Sequence, residues 1–450
     1  MRDLLSAVEE RLDQPTARGL AAALSRAVSE RVISPGTKLP PIRTVATELA
    51  LSPTTVSAAW AQLARSGVIR TDGRRGTTVL DGAPAGGDRY QRAVGRPVSL
   101  AQDLSTGVPD GALLPGLGRV LAGLDTAGTP TSYLEAPVLP DLEAVLRRDW
   151  PYDAQALTVV DGAMDALDLV ARTFLRFGDR VAVEHPGFPP LIDLLDALSI
   201  EVVGVPLDEQ GMEVAALDAE LSRGRVAAVV LQPRAQNPTG VSLTRPRARQ
   251  LAELLRATDT VVVEDDSAHG LSTAPALSLG EWLPERTLHI RSFSKSYGPD
   301  LRLAALSGSI PRVRAIEARR HLGQGWSSRL LQRILVGLLT DPEAVAAVAR
   351  ASAAYDDRRR LLVEALAGHG LAVGGGEGLN IWVPVRDESA AIVKLASQGI
   401  GVSAGAPFAV LREPRGFIRV TSGLVRERHA EVAAAIADAA GSAQWGARAR

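Results

Sequence analysis

The chain is 450 residues long, long enough for two or three domains with a substantial core. Its hydrophobic share of 46%, charged share of 22% and net charge of −1 are those of a soluble globular protein, and the absence of cysteine excludes disulfides, thiolate metal sites and cysteine nucleophiles. No apolar run reaches membrane-spanning length and Met1-Arg2-Asp3 leads into an amphipathic segment rather than a signal peptide, so a cytoplasmic protein without membrane attachment is expected.

The first 80 residues carry eleven Lys/Arg against seven Asp/Glu, a net of +4 that leaves −5 for the remainder. A basic segment ahead of a mildly acidic body hints at nucleic acid. Apolar residues at helical spacing over 17–32 end at Ser34-Pro35-Gly36, a turn signal. Pro40-Pro41 opens a second helix over 43–50, and after Leu51-Ser52-Pro53 a third runs over 54–65 with Val56, Trp60 and Leu63 inward. Two short strands, 67–70 and 77–80, are joined through Asp72-Gly73-Arg74-Arg75-Gly76. Helix, helix, turn, helix and hairpin make a winged helix-turn-helix over 1–80, with the third helix in the major groove of double-stranded DNA. Thr54, Thr55 and Ser57 then meet DNA from that helix's N-terminus, while Arg43, Arg74 and Arg75 neutralise phosphates or read base edges. The alternative is a small helical cap whose arginines are merely solvated. Leu39-Pro40-Pro41-Ile42-Arg43-Thr44-Val45-Ala46 followed by Leu51-Ser52-Pro53-Thr54-Thr55-Val56 resembles the GntR-type repressor domain, over nearly all of 12–80. Pro53 stands where that family usually has a DNA-touching arginine.

Asp81-Gly82-Ala83-Pro84-Ala85-Gly86-Gly87-Asp88 is poor in bulky apolar groups and reads as a flexible connector, which sets a linker at 81–100. From about 155, strand-like runs (157–160, 180–184, 201–205, 227–232, 260–264 and 287–290) alternate with helical segments across a 101–450 body. That alternation predicts a mainly parallel sheet with helices on both faces and ligands at the strand carboxyl ends.

The polar motifs follow those ends. Asp161-Gly162-Ala163-Met164 passes into a helix whose first amides can hold phosphate. Phe188 lies just beyond a strand, where it stacks on a planar ring or simply joins the core. Asn237, in Asn237-Pro238-Thr239-Gly240, offers an amide to a phenolic oxygen. The run Val261-Val262-Val263-Glu264-Asp265-Asp266 ends in carboxylates that need partners, such as a protonated pyridine nitrogen; with only His269 near, no metal site is expected. Lys295, in Ser292-Phe293-Ser294-Lys295-Ser296-Tyr297-Gly298, can condense with an aldehyde if partly desolvated, and Arg302 offers a planar fork to a phosphate. Aldehyde plus phosphate describes pyridoxal 5'-phosphate (PLP); the bland alternative is a surface loop with two cations.

Taken in order, Gly162-Ala163-Met164, Phe188, Asn237, Asp265, Lys295 and Arg302 resemble fold-type I PLP enzymes of the aspartate aminotransferase class, from about 133 to 419. The resemblance implies an α/β body in which Lys295 forms the Schiff base with PLP and Asp265, or Asp266 if the register shifts, pairs with the pyridine nitrogen. Asn237 holds the ring hydroxyl oxygen and Phe188 stacks on the ring. Gly162, Ala163, Met164, Ser292 or Ser294, and Arg302 surround the phosphate. Tyr133 resembles a tyrosine that reaches the phosphate of the neighbouring subunit, and Arg419 one that grips an effector carboxylate. Two departures point to weak or absent turnover: Ser267 and Ala268 replace the tyrosine usual after the pyridine-pairing aspartate, and Glu135-Ala136-Pro137-Val138-Leu139 replaces a glycine-bearing loop. A winged helix, a linker and this body resemble MocR-type GntR regulators. They imply a homodimeric transcription factor on a DNA operator that senses an amine or amino acid by aldimine exchange at Lys295. The alternatives are an active aminotransferase with a DNA-binding tether, or a regulator of vitamin B6 genes with PLP itself as effector.

Overall fold

The computed structural model describes residues 2–30, 32–65, 68–71, 76–80, 88–94, 100–124 and 136–442. In chain order the first elements are α1 (Arg2–Glu9), α2 (Ala17–Ser29), β1 (Lys38–Leu39), α3 (Ile42–Glu48), α4 (Pro53–Arg65), β2 (Ile69–Thr71), β3 (Thr77–Val79) and α5 (Asp88–Val94). There follow β4 (Gln102–Asp103), α6 (Gly118–Ala122), α7 (Pro140–Arg147), β5 (Ala156–Val160), α8 (Ala163–Phe174), β6 (Arg180–His185), α9 (Pro189–Ala197), β7 (Glu201–Asp208), β8 (Gly211–Met212), α10 (Val214–Ser222), β9 (Ala228–Leu231), α11 (Arg245–Leu255), β10 (Val261–Asp266), β11 (Thr287–Ser292), α12 (Ser294–Tyr297) and β12 (Ala304–Gly308). The last are α13 (Ile310–Arg320), α14 (Arg329–Thr340), α15 (Pro342–Gly368), β13 (Ile381–Val385), α16 (Glu388–Ser397), β14 (Ile400–Gly401), β15 (Ser403–Ala404), β16 (Gly416–Val420) and α17 (His429–Ala440). Two compact units result: Met1–Arg89 with Phe174–Arg180 and Pro190–Val202, and Tyr90–Thr173 with Val181–Pro189 and Val203–Arg450.

In the first unit α1 to α4 precede an antiparallel sheet of order β1-β3-β2. Helix α4 buries Val56, Ala59, Trp60 and Leu63, an i, i+3, i+4, i+7 stripe, against Leu20 and Leu24 of α2 and against Ile69 and Val79 of the hairpin strands. The Ser52 hydroxyl accepts the Thr55 N–H at 3.0 Å, satisfying an amide at the start of α4. The fold is the winged helix expected, with α3 beginning at Ile42 and α4 at Pro53. Arg74 and Arg75 lie outside the described residues, as does Tyr133.

The second unit is built on an eight-stranded sheet of order β5-β12-β11-β10-β9-β6-β7-β8. Strands β11, β10, β9 and β6 are parallel neighbours, whereas β12 runs antiparallel to both β11 and β5. One hydrophobic cluster packs Val229 and Val262 of the sheet against Ala248, Leu251 and Leu255 of α11. Another packs Val159, Leu303 and Ala305 against Leu142 and Leu146 of α7 and Leu335 and Leu338 of α14. Each such fully buried Leu or Val contributes roughly 1.5–3 kcal/mol. Strands β9, β10, β11 and β12 are buried at every residue, so both faces of the sheet are covered, as near-continuous apolar strands require. A third cluster joins the β13–β16 pair to α15, α16 and α17 through Ile381, Ile418, Leu362, Leu395 and Ile436. Residues 88–94 of the span expected to be a flexible connector are helical. The glycines and Pro84 that suggested flexibility end at Gly87, and Ala93 of α5 is buried.

Candidate functional site

Strand register brings the polar residues of distant motifs to one edge of the sheet. Parallel pairing sets Asp265 opposite Ile290 and Leu231 opposite Glu264, so Gln232, Asp265 and the Ser294-Lys295 turn lie at adjacent carboxyl ends. Because β12 is antiparallel, its start meets the same edge: Ala304 pairs with both Ser292 and Val160. Arg302, two residues before Ala304, therefore stands beside Gly162, two residues after Val160. Gly162 has φ 107°, and a Cβ there would approach the Arg302 guanidinium to 3.3 Å. This leaves a space between the start of α8 and that guanidinium which a side chain would fill. Arg302, itself at φ 50°, donates to the Asp161 carbonyl at 3.2 Å. Asp161 is held by Arg320.

Next to this edge lies a cavity of about 200 Å³ lined by, among others, Phe188, Asn237, Ser267, Ser294, Lys295 and Arg419. The Lys295 amine is held below the ordinary lysine range by burial and by the Arg419 charge, against the opposing pull of Asp265. Asp265 is buried and raised by desolvation, while bonds from Ser267 and from Gln232 Nε2, the latter at 2.8 Å, oppose the rise. Its neighbour Asp266 faces away. Register puts Glu264 and Asp266 on the face of His289 and Arg291, with Asp265 on the other. Burial would raise the Asp266 carboxyl, but His289 and a two-pronged Arg234 outweigh it and hold it below the usual carboxylate range.

Asn237 donates its N–H to Gln232 Oε1 at 2.8 Å and accepts from Arg419 Nη1 at 3.3 Å. Arg419 is buried, lowered by desolvation to about 10, and donates Nη2 to the Ser105 carbonyl. Its Nε has no partner. The Phe408 ring centroid lies 5.1 Å from the guanidinium carbon, and a Cβ on Gly107, at φ 67°, would come within 3.2 Å of Arg419 Nη1. On the first unit, Arg43, Thr54 and Ser57 are exposed, while the Thr55 hydroxyl lies 2.7 Å from that of Ser52.

Residues 102–436 match the family of aminotransferase class I and II, and residues 16–79 match bacterial regulatory proteins of the gntR family. The chain belongs to the MocR-type GntR regulators. It is similar to the vitamin B6 salvage pathway transcriptional repressor PtsJ of Salmonella typhimurium, at 35% identity over 91% of this chain and 95% of that one. With the pyridoxine biosynthesis transcriptional regulator PdxR of Corynebacterium glutamicum it shares 28% identity over 77% of this chain and 78% of that one. A multiple substrate aminotransferase from Thermococcus profundus superposes with a TM-score of 0.70 at 22% identity, over 80% of this chain and 96% of that one, which shows the fold. This MocR-type chain is thus a transcriptional regulator with a helix-turn-helix of DNA-binding type and an aminotransferase-like domain of a class that typically binds PLP.

Of the candidate residues in this regulator, Phe188, Asn237, Ser294, Lys295 and Arg419 line one cavity, with Asp265 bonded to its wall residues Gln232 and Ser267. Gly162 and Arg302 meet at the end of β5, and Ala163 and Met164 form the first turn of α8. Ser292 is buried and its hydroxyl accepts the Ser294 N–H at 3.4 Å.

Sequence reasoning missed Gln232, whose amide ties Asp265 to Asn237, and it missed Glu184. Both close strand-like runs, 227–232 and 180–184, but nothing in a run shows that neighbouring strands align them. Glu184 accepts the Gln232 N–H at 3.0 Å. Burial first, and the Asp265 charge second, push its carboxyl up to about 8 against bonds from Gln232 and Gln236. A carboxyl that holds its proton more tightly when folded stabilises the fold at low pH, and that contribution declines as pH rises from about 4.5 through about 8. The thermal midpoint is therefore expected to fall by several degrees between pH 6 and 9. Glu184→Gln, which keeps the bonds without the titration, should flatten that slope in calorimetry; an equally steep variant would remove Glu184 as its source.

Proposed function

We propose that this regulator holds PLP at Lys295, acts as a homodimer on a double-stranded DNA operator, and changes operator affinity with the ligand state of its pocket. The observation that carries the reading is the depressed Lys295 amine in a cavity whose wall residues Gln232 and Ser267 hold the buried Asp265 carboxyl, beside a cradle made by Gly162 and Arg302. Bound PLP supplies an aldehyde that a neutral amine attacks. Burial keeps Lys295 closer to that neutral form at physiological pH. Asp265 offers its carboxylate to the pyridine nitrogen, Asn237 its amide to the ring hydroxyl oxygen, and Phe188 its ring face. The α8 amides from Gly162 to Met164, the hydroxyls of Ser292 and Ser294, and the Arg302 guanidinium supply donors for the phosphate. At the DNA, Thr54 and Ser57 present hydroxyls from the start of α4 and Arg43 a charge to the backbone.

Binding rather than turnover is the role this site supports. The positions where the enzymes carry a phenol are here Ser267, whose hydroxyl is spent on Asp265, and Ala268, which has none. His269, bonded to Arg234 beside Asp266, is not among the residues that line the cavity, and burial and Arg291 lower it to about 3.

The 35% identity to a vitamin B6 salvage repressor, reaching across both domains, supports PLP itself as the effector and vitamin B6 genes as the target. A second reading, an amine or amino-acid effector that takes the place of the Lys295 amine on PLP, is favoured by the unpartnered Arg419 Nε. Operator affinity of the purified protein, measured by fluorescence anisotropy on the DNA upstream of its own gene, decides between them. Adding PLP to stripped protein is expected to shift that affinity at least about tenfold, a differential of ~1.4 kcal/mol between two states. A shift that appears only when an amine joins PLP would replace the first reading by the second, and no shift under either condition would sink both.

A further inference from the structure

The cavity that holds Lys295 has a wall the family resemblance does not provide. Helix α5, which follows the glycine-rich connector, places Tyr90 and Ala93 among the lining residues of the same cavity as Arg419. Ala93 is buried, anchoring the helix, while Tyr90 is 48% exposed, as a side chain at a cavity mouth is. The phenol is within electrostatic reach of the Arg419 guanidinium.

Arg419 is enclosed on its other sides. Phe408 lies against it at 5.1 Å, the Gly107 backbone passes close by, and two of its three nitrogens donate to Ser105 and Asn237. A carboxylate gripped in bidentate fashion needs two parallel N–H donors on one edge of the guanidinium. In this arrangement a backbone carbonyl already engages Nη2. The Nε proton, which shares that edge, is unpartnered yet buried. An amino acid whose carboxylate takes that edge must therefore displace the Ser105 carbonyl and pass the phenol that lines the mouth. An amine without a carboxylate, or PLP, need do neither.

We propose that Tyr90 is a specificity-determining residue that closes the Arg419 end of the pocket, so that the resting site takes PLP and does not select for a ligand carboxylate. This rests on the reading of Lys295 as the PLP site and adds why PLP, rather than an amino acid, is the effector. Tyr90 lies one residue beyond Arg89, on the helix that continues from the connector, so the closure is made by the segment of chain that leads to the DNA-binding unit.

The test compares L-alanine with ethylamine, amines of similar size that differ by a carboxylate, on full-length protein loaded with PLP. The visible band of bound PLP reports each titration. In the native protein the two dissociation constants are expected to agree within about threefold. In Tyr90→Ala the L-alanine constant is expected to fall about tenfold relative to that for ethylamine, because the carboxylate then reaches Arg419 without passing the phenol. Tyr90→Ser, equally small and more polar, gives the same ratio should the alanine variant aggregate. A native protein that already prefers L-alanine tenfold, or variants whose ratio does not move, overturns the gate. A native protein that shows no band with PLP overturns the cofactor site beneath it, so the two failures are distinguishable.

Discussion

Lys295→Ala is expected to abolish the visible band of bound PLP and the stabilisation that PLP gives, while leaving a folded chain. In the native protein, PLP at one hundred times its dissociation constant adds about 2.7 kcal/mol, seen as a rise of several degrees in thermal midpoint. The substitution removes the amine that anchors the aldehyde, and with it most of that rise. Without ligand the variant should melt within a few degrees of the native protein, because a buried amine held below its ordinary range contributes little that an alanine lacks. Absorbance and differential scanning fluorimetry with and without PLP read both quantities. A band of unchanged position and intensity in Lys295→Ala would place the aldehyde on another group and remove the central residue of the site.

Much of this site was legible in the sequence because its parts are strand ends. A carboxylate run closing the apolar strand β10, an Asn-Pro-Thr-Gly turn after β9 and a Ser-x-Ser-Lys turn after β11 each stand out locally, and parallel pairing is enough to bring them together. Six strands of the sheet were visible as apolar runs, though all but β5 end one to three residues away from where the runs do. Strand β12, Ala304–Gly308, was not, because Ala-Ala-Leu-Ser-Gly lacks the β-branched residues that mark a strand and is held by neighbours on both sides. Its antiparallel direction is nevertheless what brings Arg302 to Gly162. The phosphate end of the site thus depends on an element that composition does not announce.

Tyr90 was hidden for the opposite reason. The glycine and proline of the preceding eight residues dominate any window that contains it, so a seven-residue helix reads as connector. Only the cavity lining shows that its phenol belongs with Arg419, more than three hundred residues away.

The adjacent carboxylates of β10 carry the clearest contrast in expected outcome. Sequence alone leaves open which of them faces a ligand. Strand alternation decides that they differ, and pairing with β11 decides how: Asp266 shares a face with His289, and Asp265 lies on the other, within the field of Lys295. Asp266 is buried with Arg234 bonded to it and His289 Nε2 at 3.7 Å, while His289 Nδ1 is 2.7 Å from Glu264. The nearby carboxylates of Asp266 and of Glu264, which is hydrogen-bonded to the ring, hold the imidazole above its ordinary range although burial opposes this. Asp266→Ala leaves a guanidinium and an imidazolium short of a counter-charge, a loss of roughly 3–5 kcal/mol, and should lower the thermal midpoint by roughly 5–10 °C with or without PLP. Asp265 has the opposite balance. Its carboxyl is raised by burial, so Asp265→Asn relieves desolvation in the ligand-free protein and should leave the midpoint unchanged or slightly higher. What it removes is the charge offered to a pyridine nitrogen, and the affinity for PLP is expected to fall by about a hundredfold, or ~2.7 kcal/mol. Parallel melting and PLP titration of the two variants separate the roles. If Asp266→Ala loses PLP at native stability while Asp265→Asn melts early, the assignment is reversed and the ligand lies against the other face of β10.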